Sequence, residues 1–301
     1  MATTNLHGIF PAVVTPFDEN ENFVPAAFER LLARLYAAGI DGLYVNGYTG
    51  EGFLQPVEQR KRVAEVALHS TPKGKSVIVH VGANRTADAV ELARHAATIG
   101  VQAISSLLPL GPYSPAEIRA HYQALAMASD LPILVYYFPE FSTAIQGIQQ
   151  ILELLDLPKV IGVKFSDFDL YKLSLLRKKE CVLFNGRDEV LAAGLLMGAD
   201  GGIGSFYNLI PECFVELFQL AQQSRWDEAR QIQSRINELI EISLRFPMLA
   251  AVKAILSWQG LDCGRPLPPR RSLTEEEARC LQGLLRDSSF GYLVSEAAEQ
   301  R

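Results

Sequence analysis

The sequence has no long hydrophobic run. None of its uninterrupted apolar stretches approaches the ~20 residues that a membrane-spanning helix needs, and residues 1–8 carry neither a basic leader nor an apolar signal core. We therefore expect a soluble, cytoplasmic protein. No linker rich in proline, glycine or serine interrupts the 301 residues, and 49% of them are hydrophobic, so the chain can bury one large core.

Cysteine, histidine and excess positive charge are also scarce. The four cysteines form no Cys-x-x-Cys pair and the five histidines do not cluster, which argues against disulfides and zinc sites. The net charge is −6, and the basic residues are interspersed with acidic ones. This distribution disfavours nucleic acid as a partner, although it leaves room for a local basic pocket that holds a small anion.

Short apolar or β-branched runs alternate with amphipathic helical stretches along most of the chain. The eight predicted strands are Gly8 to Phe17, Gly42 to Gly47, Ser76 to Gly82, Ala103 to Pro109, Pro132 to Phe138, Val160 to Ser166, Cys181 to Gly186, and Gly201 to Phe206. Helical patterns between them include Pro25 to Ala38, Pro56 to His69, Ala87 to Ile99, Pro115 to Ala128, and Asp169 to Lys178. Such alternation predicts an α/β fold, the (β/α)8 TIM barrel.

The pattern changes after the eighth predicted strand. Four helices follow there: Pro211 to Gln223, Trp226 to Arg245, Met248 to Gln259, and Thr274 to Asp287. The first would complete the barrel. We therefore predict a catalytic barrel over residues 1–222 and a C-terminal helical extension over residues 223–301, which either covers barrel helices or forms a subunit contact.

Lys164 ends an otherwise apolar strand, where a buried ammonium has no obvious structural use. In the preceding strand Tyr136 occupies a similar position. Neighbouring parallel strands lie about 4.8 Å apart, so the amine and the phenol can share one pocket. This pair suggests Schiff-base chemistry on a carbonyl substrate, because burial favours the neutral amine that attacks a carbonyl. The alternative is a structural lysine whose ammonium reaches water at the barrel rim.

Three other strand ends carry unusual residues, and catalytic groups of barrel enzymes lie at these ends. The segment Asn46 to Gly52 has glycines that permit a turn with inward N–H groups, which suits a carboxylate, although an ordinary loop has the same pattern. Asp188 and Glu189 offer carboxylates to substrate hydroxyls, or they cap a helix. The run Gly201 to Ser205 is glycine-rich enough for a ligand to approach the backbone closely.

At these residues the chain resembles the N-acetylneuraminate lyase and dihydrodipicolinate synthase superfamily of pyruvate-dependent class I aldolases. It looks closest to the N-acetylneuraminate lyases, and the likeness covers nearly the whole length. The stretches that carry the resemblance are residues 11–17, 39–45, 47–51, 162–164, 185–189 and 198–205, which include Gly-Tyr-Thr-Gly-Glu, Asn-Gly-Arg-Asp-Glu and Gly-Ala-Asp-Gly-Gly-Ile-Gly-Ser.

The resemblance implies a role for each matching residue. Lys164 would form the imine with pyruvate, and Tyr136 would relay a proton; Tyr136 is preferred to Tyr137 because it fits the family's Tyr-x-x-Pro motif. The backbone amides around Tyr48 and Thr49 would hold the pyruvate carboxylate. The remaining implied contacts are the hydroxyl of Ser166 near the imine and, at the sugar end of the substrate, Gly186, Asp188, Glu189 and Ser205.

The implied activity is retro-aldol cleavage of a 2-keto-3-deoxy sugar acid, with N-acetylneuraminate giving pyruvate and N-acetylmannosamine as the preferred case. No metal or organic cofactor is expected, because the protonated imine supplies the electrophile. The family likeness also suggests a homotetramer. Dihydrodipicolinate synthases usually carry an arginine where this chain has Phe141, so a dicarboxylate product is disfavoured.

The chain departs from the family pattern at two places. Tyr48 stands where the family generally has a short Ser or Thr hydroxyl in the proton relay. In the segment Leu107 to Ser114 only a displaced Tyr113 remains of the tyrosine that the family lends to a neighbouring subunit. Two alternatives therefore stay open: a related aldolase, hydratase-aldolase or dehydratase with another second substrate, and a non-catalytic pyruvate-binding barrel.

Overall fold

The computed structural model describes residues 6–107, 109–142 and 147–294, and within them eight parallel strands form one sheet. The strands are Gly8–Pro11 (β1), Gly42–Val45 (β2), Ser76–His80 (β3), Ala103–Leu107 (β4), Ile133–Tyr137 (β5), Val160–Phe165 (β6), Val182–Asn185 (β7) and Gly201–Gly204 (β8). Every predicted strand is present, and each observed strand is shorter than its prediction.

The sheet runs in sequence order from β2 to β8 and then to β1, and the chain after β1 closes it into a barrel. Pro11 is the last residue of β1 to pair with β8. The N–H of Ala12 then donates to the carbonyl of Gly204 at 2.8 Å, while the N–H of Val13 donates to the carbonyl of Tyr44 on β2 at 3.0 Å. This switch between the two neighbours ends β1 well before the predicted Phe17, and it leaves no open sheet edge.

Helices follow the strands in turn and then continue beyond the barrel. They are Pro25–Ala37 (α1), Val57–His69 (α2), Thr86–Ile99 (α3), Pro115–Ala128 (α4), Ile148–Leu155 (α5), Leu170–Leu176 (α6), Leu191–Leu196 (α7), Pro211–Gln222 (α8), Trp226–Ser243 (α9), Met248–Trp258 (α10) and Glu275–Arg286 (α11). The predicted TIM barrel with C-terminal helices is confirmed. None of the helices among the described residues is both long and apolar enough to cross a membrane.

Local sequence explains where several helices begin. Proline opens α1 and α4, at a position where a missing N–H costs no helical hydrogen bond. Ser114 and Glu117 form a capping box at α4, and Thr274 and Glu277 form another at α11. These start signals lie within a few residues in the sequence, so the helix boundaries were predictable.

The barrel separates two apolar cores. Side chains such as Phe10, Tyr44 and Phe184 fill its interior, while a larger core lies between the strands and the surrounding helices. Successive residues of a strand point to opposite faces of the sheet. On β5, Tyr136 accordingly belongs to the interior, whereas Tyr137 packs outward with its ring centroid 5.4 Å from that of Phe165.

The C-terminal helices pack against the barrel. Helix α9 lies against α7 and α8 and against the 3₁₀ turn Asp188–Val190 that follows β7. Helix α10 contacts α9, α11 and the 3₁₀ turn Phe206–Asn208 that follows β8. The extension therefore reaches the carboxyl ends of the strands. A domain boundary at residue 222 stays a prediction.

Candidate active site

Lys164 and Tyr136 are direct partners in the register between β6 and β5. Both side chains point into the barrel, and the lysine side chain lies across the tyrosine ring, with its Nζ 3.8 Å from the ring centroid. Only 4% of Lys164 is exposed, so the rim-lysine alternative, in which the ammonium reaches water, does not hold. The register brings an amine and a phenol together in one buried pocket.

A short chain of hydrogen bonds orients the amine. Lys164 Nζ donates to the hydroxyl of Ser166 at 3.0 Å, and that hydroxyl donates to the carbonyl of Gly186 at 3.3 Å. A β-carbon at position 186 would lie 2.1 Å from the Ser166 oxygen. Glycine is therefore required here, because any side chain would push away the hydroxyl that holds the lysine.

Burial changes the charge state of the lysine. Loss of hydration lowers the pKa of Lys164 to about 7; the nearby Asp188 carboxylate opposes the shift, and the Arg187 guanidinium adds to it. An exposed lysine has a pKa of about 10.4. A large fraction of the Lys164 amine is therefore neutral and nucleophilic near neutral pH.

Imine formation should follow this titration. If Lys164 attacks the carbonyl of pyruvate, the neutral amine is the attacking form, so we expect the second-order rate of imine formation to rise about tenfold per pH unit below about pH 7 and to level off above it. The measurement is stopped-flow or quenched trapping with borohydride across that range. A rate that keeps rising to about pH 10, as for an exposed lysine, would contradict the burial argument.

Tyr136 is held as a neutral phenol. Burial raises its pKa well above the ordinary value, while a hydrogen bond with Ser166 and the positive charge of Arg187 work in the opposite direction. Ser166 thus contacts both the amine and the phenol.

Asp188 follows β7 and is buried against β8. Its Oδ2 accepts a hydrogen bond from the backbone N–H of Phe206 at 2.7 Å. Burial raises the pKa of Asp188 to about 7, with a further contribution from the neighbouring charge of Glu189. A β-carbon at Gly204 would lie 1.9 Å from the Asp188 carboxyl oxygen, so the glycine run of β8 makes room for this side chain. The helix-cap alternative does not describe Asp188, because its carboxyl group bonds to another strand end.

The turn after β2 presents backbone donors to the same cavity. Within the described ranges, the N–H groups of Tyr48 and Thr49 donate no hydrogen bond to the protein, although Thr49 is buried. The Thr49 hydroxyl lies 2.6 Å from the hydroxyl of Ser205 at the end of β8. The free amides of Tyr48 and Thr49 are suited to a carboxylate, because an anion accepts hydrogen bonds from both of them.

Tyr48 forms part of one wall of the cavity. Its ring packs edge-on against Phe138 and Phe141, at centroid distances of 5.8 Å and 5.1 Å. The Arg270 guanidinium lies over the other side of this ring, 4.5 Å from its centroid. The phenol is thus clamped in an aromatic cluster that narrows one side of the pocket.

Every residue predicted for the site lines a single cavity of about 210 Å³ at the carboxyl ends of the strands. The nine are Tyr48, Thr49, Tyr136, Lys164, Ser166, Gly186, Asp188, Glu189 and Ser205. Residues that the sequence analysis did not assign to the site also line it: Ala12, Phe138, Arg187, Ile203, Phe206, Leu244 and Met248. Arg187 belongs to the motif Asn-Gly-Arg-Asp-Glu, and its position just after a strand could have marked it as a residue of the site. Nothing in the local sequence marks Leu244 and Met248.

Helix α9 supports the segment that carries the two acidic residues. The side-chain amide of Gln233 donates to the carbonyl of Asp188 at 2.9 Å, and that of Asn237 donates to the carbonyl of Glu189 at 3.0 Å. Gln233 also accepts from the N–H of Ala192 at 2.9 Å. The C-terminal extension therefore holds the site from outside the barrel.

A buried ion pair ties the turn after β2 to α10. Glu51 Oε1 lies 3.0 Å from Lys253 Nζ, and both side chains are almost completely buried. The other carboxyl oxygen of Glu51 accepts from the N–H of Leu267 at 2.7 Å and lies 3.5 Å from the Arg270 guanidinium. Glu51 has a φ of 57°, so the carboxylate contacts hold a turn that is strained for a residue with a side chain.

Replacing Lys253 with methionine should therefore destabilise the fold. The change leaves the buried Glu51 carboxylate with one N–H and a more distant arginine, and we expect a loss of about 3 kcal/mol in the free energy of unfolding. Denaturant titration measures it. Lys179→Met is the matched control, because Lys179 pairs with Asp156 on the surface and should cost less than about 1 kcal/mol. Equal losses in the two variants would contradict the argument.

The loop after β4 carries Tyr113, the displaced tyrosine of the sequence analysis. Tyr113 is 37% exposed and does not line the cavity, and Leu108 lies outside the described residues. Tyr113 therefore contributes nothing to the site within its own chain.

Comparison with known proteins gives the family. Residues 5–288 match the Dihydrodipicolinate synthetase family. This chain belongs to that family. Since the match covers nearly the whole sequence, barrel and C-terminal helices are both part of the family's architecture.

The relatives within this family include lyases of sialic acid. The N-acetylneuraminate lyase of Rhizobium meliloti (strain 1021) is 35% identical over 280 residues, which cover 92% of this chain and 93% of the relative. The Ruminococcus gnavus sialic acid aldolase structure superimposes with a TM-score of 0.89 at 31% identity, covering 94% of this chain and 96% of that one. The Clostridium difficile CdNal structure with mannosamine gives 0.90 at 28% identity, covering 94% and 99%.

Proposed function

We propose that this protein is a Schiff-base retro-aldol lyase that cleaves N-acetylneuraminate to N-acetylmannosamine and pyruvate. The observation that carries the proposal is the buried Lys164 amine, with its pKa lowered to about 7, lying 3.8 Å from the centre of the Tyr136 ring. A neutral amine in a buried pocket is the group that forms an imine with a ketone. Relatives named N-acetylneuraminate lyase at about one-third identity support the choice of substrate.

The reaction begins at the carbonyl carbon C2. The neutral amine of Lys164 attacks it to form a carbinolamine. The carbinolamine hydroxyl then leaves as water with the phenolic proton of Tyr136, so that an iminium and an ionised Tyr136 remain in the pocket. The substrate carboxylate binds the free amides of Tyr48 and Thr49, while the hydroxyl-rich end reaches Gly186, Asp188, Glu189 and Ser205. Binding at both ends holds the C3–C4 bond beside the iminium.

Bond cleavage then needs a proton acceptor for the C4 hydroxyl. The Tyr136 oxygen, ionised in the previous step, accepts this proton, and the electron pair of the C3–C4 bond moves into the iminium, which leaves an enamine and the free aldose. The positive iminium lies beside the Tyr136 ring and so lowers the cost of ionising its phenol. Return of the proton to C3 and hydrolysis of the imine release pyruvate and restore Lys164.

Cleavage assays test the proposal. The protein is incubated with N-acetylneuraminate, and pyruvate and N-acetylmannosamine are quantified, alongside a panel of other 2-keto-3-deoxy acids. We expect N-acetylneuraminate to give the highest kcat/KM. If pyruvate forms only from another acid of the panel, N-acetylneuraminate is not the substrate, and the imine mechanism still stands.

One observation favours a second candidate. Tyr48, clamped between Phe138, Phe141 and Arg270, narrows the pocket where the family has a short hydroxyl. A related aldolase or hydratase-aldolase with a different second substrate fits this wall. If Tyr48 instead blocks turnover altogether, the protein binds pyruvate without cleaving substrate, and Tyr48→Ser should then restore cleavage; robust activity of the unchanged protein would remove that reading.

We further propose that the protein acts in the cytoplasm as a homotetramer that requires neither a metal nor an organic cofactor. The family resemblance supports the assembly. Light scattering gives the solution mass, and activity after exhaustive chelation tests the independence from metal.

A further inference from the structure

Arg187 joins three strand ends across the mouth of the cavity. Arg187 itself follows β7. Its guanidinium carbon lies 5.2 Å from the ring centroid of Phe138, which follows β5, and 4.3 Å from the ring centroid of Phe168, which follows β6. Its Nη2 is 2.6 Å from a carboxyl oxygen of Glu140, also after β5. The side chain is thus held by stacking on two sides and by one ion pair.

The guanidinium is buried, but its anionic partner is not. The side chain of Arg187 is 13% exposed and that of Glu140 is 61% exposed, so the carboxylate is solvated at the rim. An ion pair of this kind contributes little to stability. Arg187 lines the same cavity as Lys164 and Asp188, which makes it a fixed positive charge on the wall of the site.

Hydrogen-bonding chemistry indicates what this charge can bind. A carboxylate only accepts hydrogen bonds, so it can bind the hydrogen atom of a substrate hydroxyl but gives no donor to the hydroxyl oxygen. A guanidinium only donates, from a planar set of N–H groups. An acidic residue and Arg187 in the same cavity can therefore bind both atoms of a substrate hydroxyl group: the carboxylate accepts from the hydrogen, and the guanidinium donates to the oxygen.

The position of Arg187 also restricts which substrates reach it. Phe168, on which it stacks, is 47% exposed, and the side chain of its ion-pair partner Glu140 is 61% exposed, so this part of the wall lies near the entrance. Lys164 lies at the buried end, where it is 4% exposed. An aldehyde must extend away from the imine to meet the guanidinium.

We propose that Arg187 is a specificity-determining residue that donates hydrogen bonds to the distal oxygen atoms of the second substrate and thereby selects long aldoses over short ones. The inference rests on the proposed function, since it requires an imine at Lys164 and an aldehyde partner. Arg187 would thus act as a positively charged hydrogen-bond donor on the cavity wall.

The test is condensation of pyruvate with N-acetylmannosamine, a six-carbon aldose, and with D-glyceraldehyde, which has three carbons. For Arg187→Met we expect kcat/KM with N-acetylmannosamine to fall about 10- to 100-fold, as for loss of hydrogen bonds from a charged donor. The value with D-glyceraldehyde should stay within about threefold. The aldose ratio is kcat/KM with N-acetylmannosamine divided by kcat/KM with D-glyceraldehyde. Arg187→Lys keeps the charge but loses the planar donors, so its aldose ratio should lie between those of the wild type and Arg187→Met.

Two control variants separate binding from packing. Arg225→Met removes a surface arginine that pairs with Glu228 and should leave the ratio unchanged. Glu140→Gln removes the ion pair but keeps the guanidinium, so it should change the ratio much less than Arg187→Met. Equal losses in Glu140→Gln and Arg187→Met would overturn the inference.

Borohydride trapping of pyruvate is measured on each variant in parallel. A normal level of trapped pyruvate with an unchanged aldose ratio in Arg187→Met would overturn the inference and leave the proposed function standing. No trapped pyruvate in the unchanged protein would overturn the proposed function, and the inference with it.

Discussion

Replacing Lys164 with alanine is expected to abolish imine formation and cleavage altogether. The amine is the atom that bonds to the substrate, and it is buried in the cavity with its pKa lowered to about 7. Without it there is no electron sink for the C3–C4 bond. Treatment of the wild-type protein with pyruvate and borohydride should add one reduced pyruvate, mapped by peptide mass spectrometry to Lys164, and the variant should show no mass increase.

Lys172→Ala is the matched control for this experiment. Lys172 lies on the helix that follows the same strand, but it forms ion pairs with Asp167 and Asp169, and those pairs raise its pKa. It should remain protonated, and its variant should be trapped like the wild type. A modified lysine other than Lys164, or an unmodified wild-type protein under saturating pyruvate, would exclude the covalent route proposed for this cavity.

Replacing Tyr136 with phenylalanine should lower kcat by about 10²- to 10⁴-fold, the usual contribution of a positioned acid–base group. The ring still packs beside Lys164, so imine formation should persist while carbon–carbon cleavage slows. Single-turnover kinetics separate the two steps: trapped imine accumulates, and release of N-acetylmannosamine becomes rate-limiting. The change corresponds to about 3 to 5 kcal/mol of transition-state stabilisation.

Tyr137→Phe provides a control in the adjacent position. Its ring lies outside the barrel, against Phe165, and it does not line the cavity. We expect its kcat to stay within about threefold of the wild type, because surface and core changes away from the chemistry act mainly on stability. If Tyr137→Phe lowered kcat as much as Tyr136→Phe, the assignment of the proton relay to Tyr136 would be wrong.

The placement of the reactive pair was predictable because it depends on local regularities. Strands alternate in the direction of their side chains, and parallel neighbours repeat at a fixed spacing. Lys164 and Tyr136 each lie at the end of an apolar run, so their side chains come into contact if the two strands are adjacent and in register. The structure shows that register directly.

The wall opposite these residues was not predictable in the same way. Leu244 and Met248 reach the cavity from the region where α9 ends and α10 begins, some eighty residues after Lys164. No periodicity in either segment specifies which barrel loop it will cover. The conformation of Tyr48 similarly depends on Phe138 and Phe141 after β5 and on Arg270 in the C-terminal region, which lie far from Tyr48 in the sequence.

The amino-acid sequence by itself determined the eightfold alternation of strands and helices, the starts of the capped helices, and the strand ends at which the polar groups stand. These features follow from interactions between residues close in the chain, such as the capping box at Ser114 and the strand alternation around Tyr136. Tertiary structure alone decided that Glu51 pairs with Lys253, that Gln233 holds Asp188, and that Arg187 stacks between aromatic rings. The physical reason is that buried charges and donors choose their partners only after packing has removed water from around them.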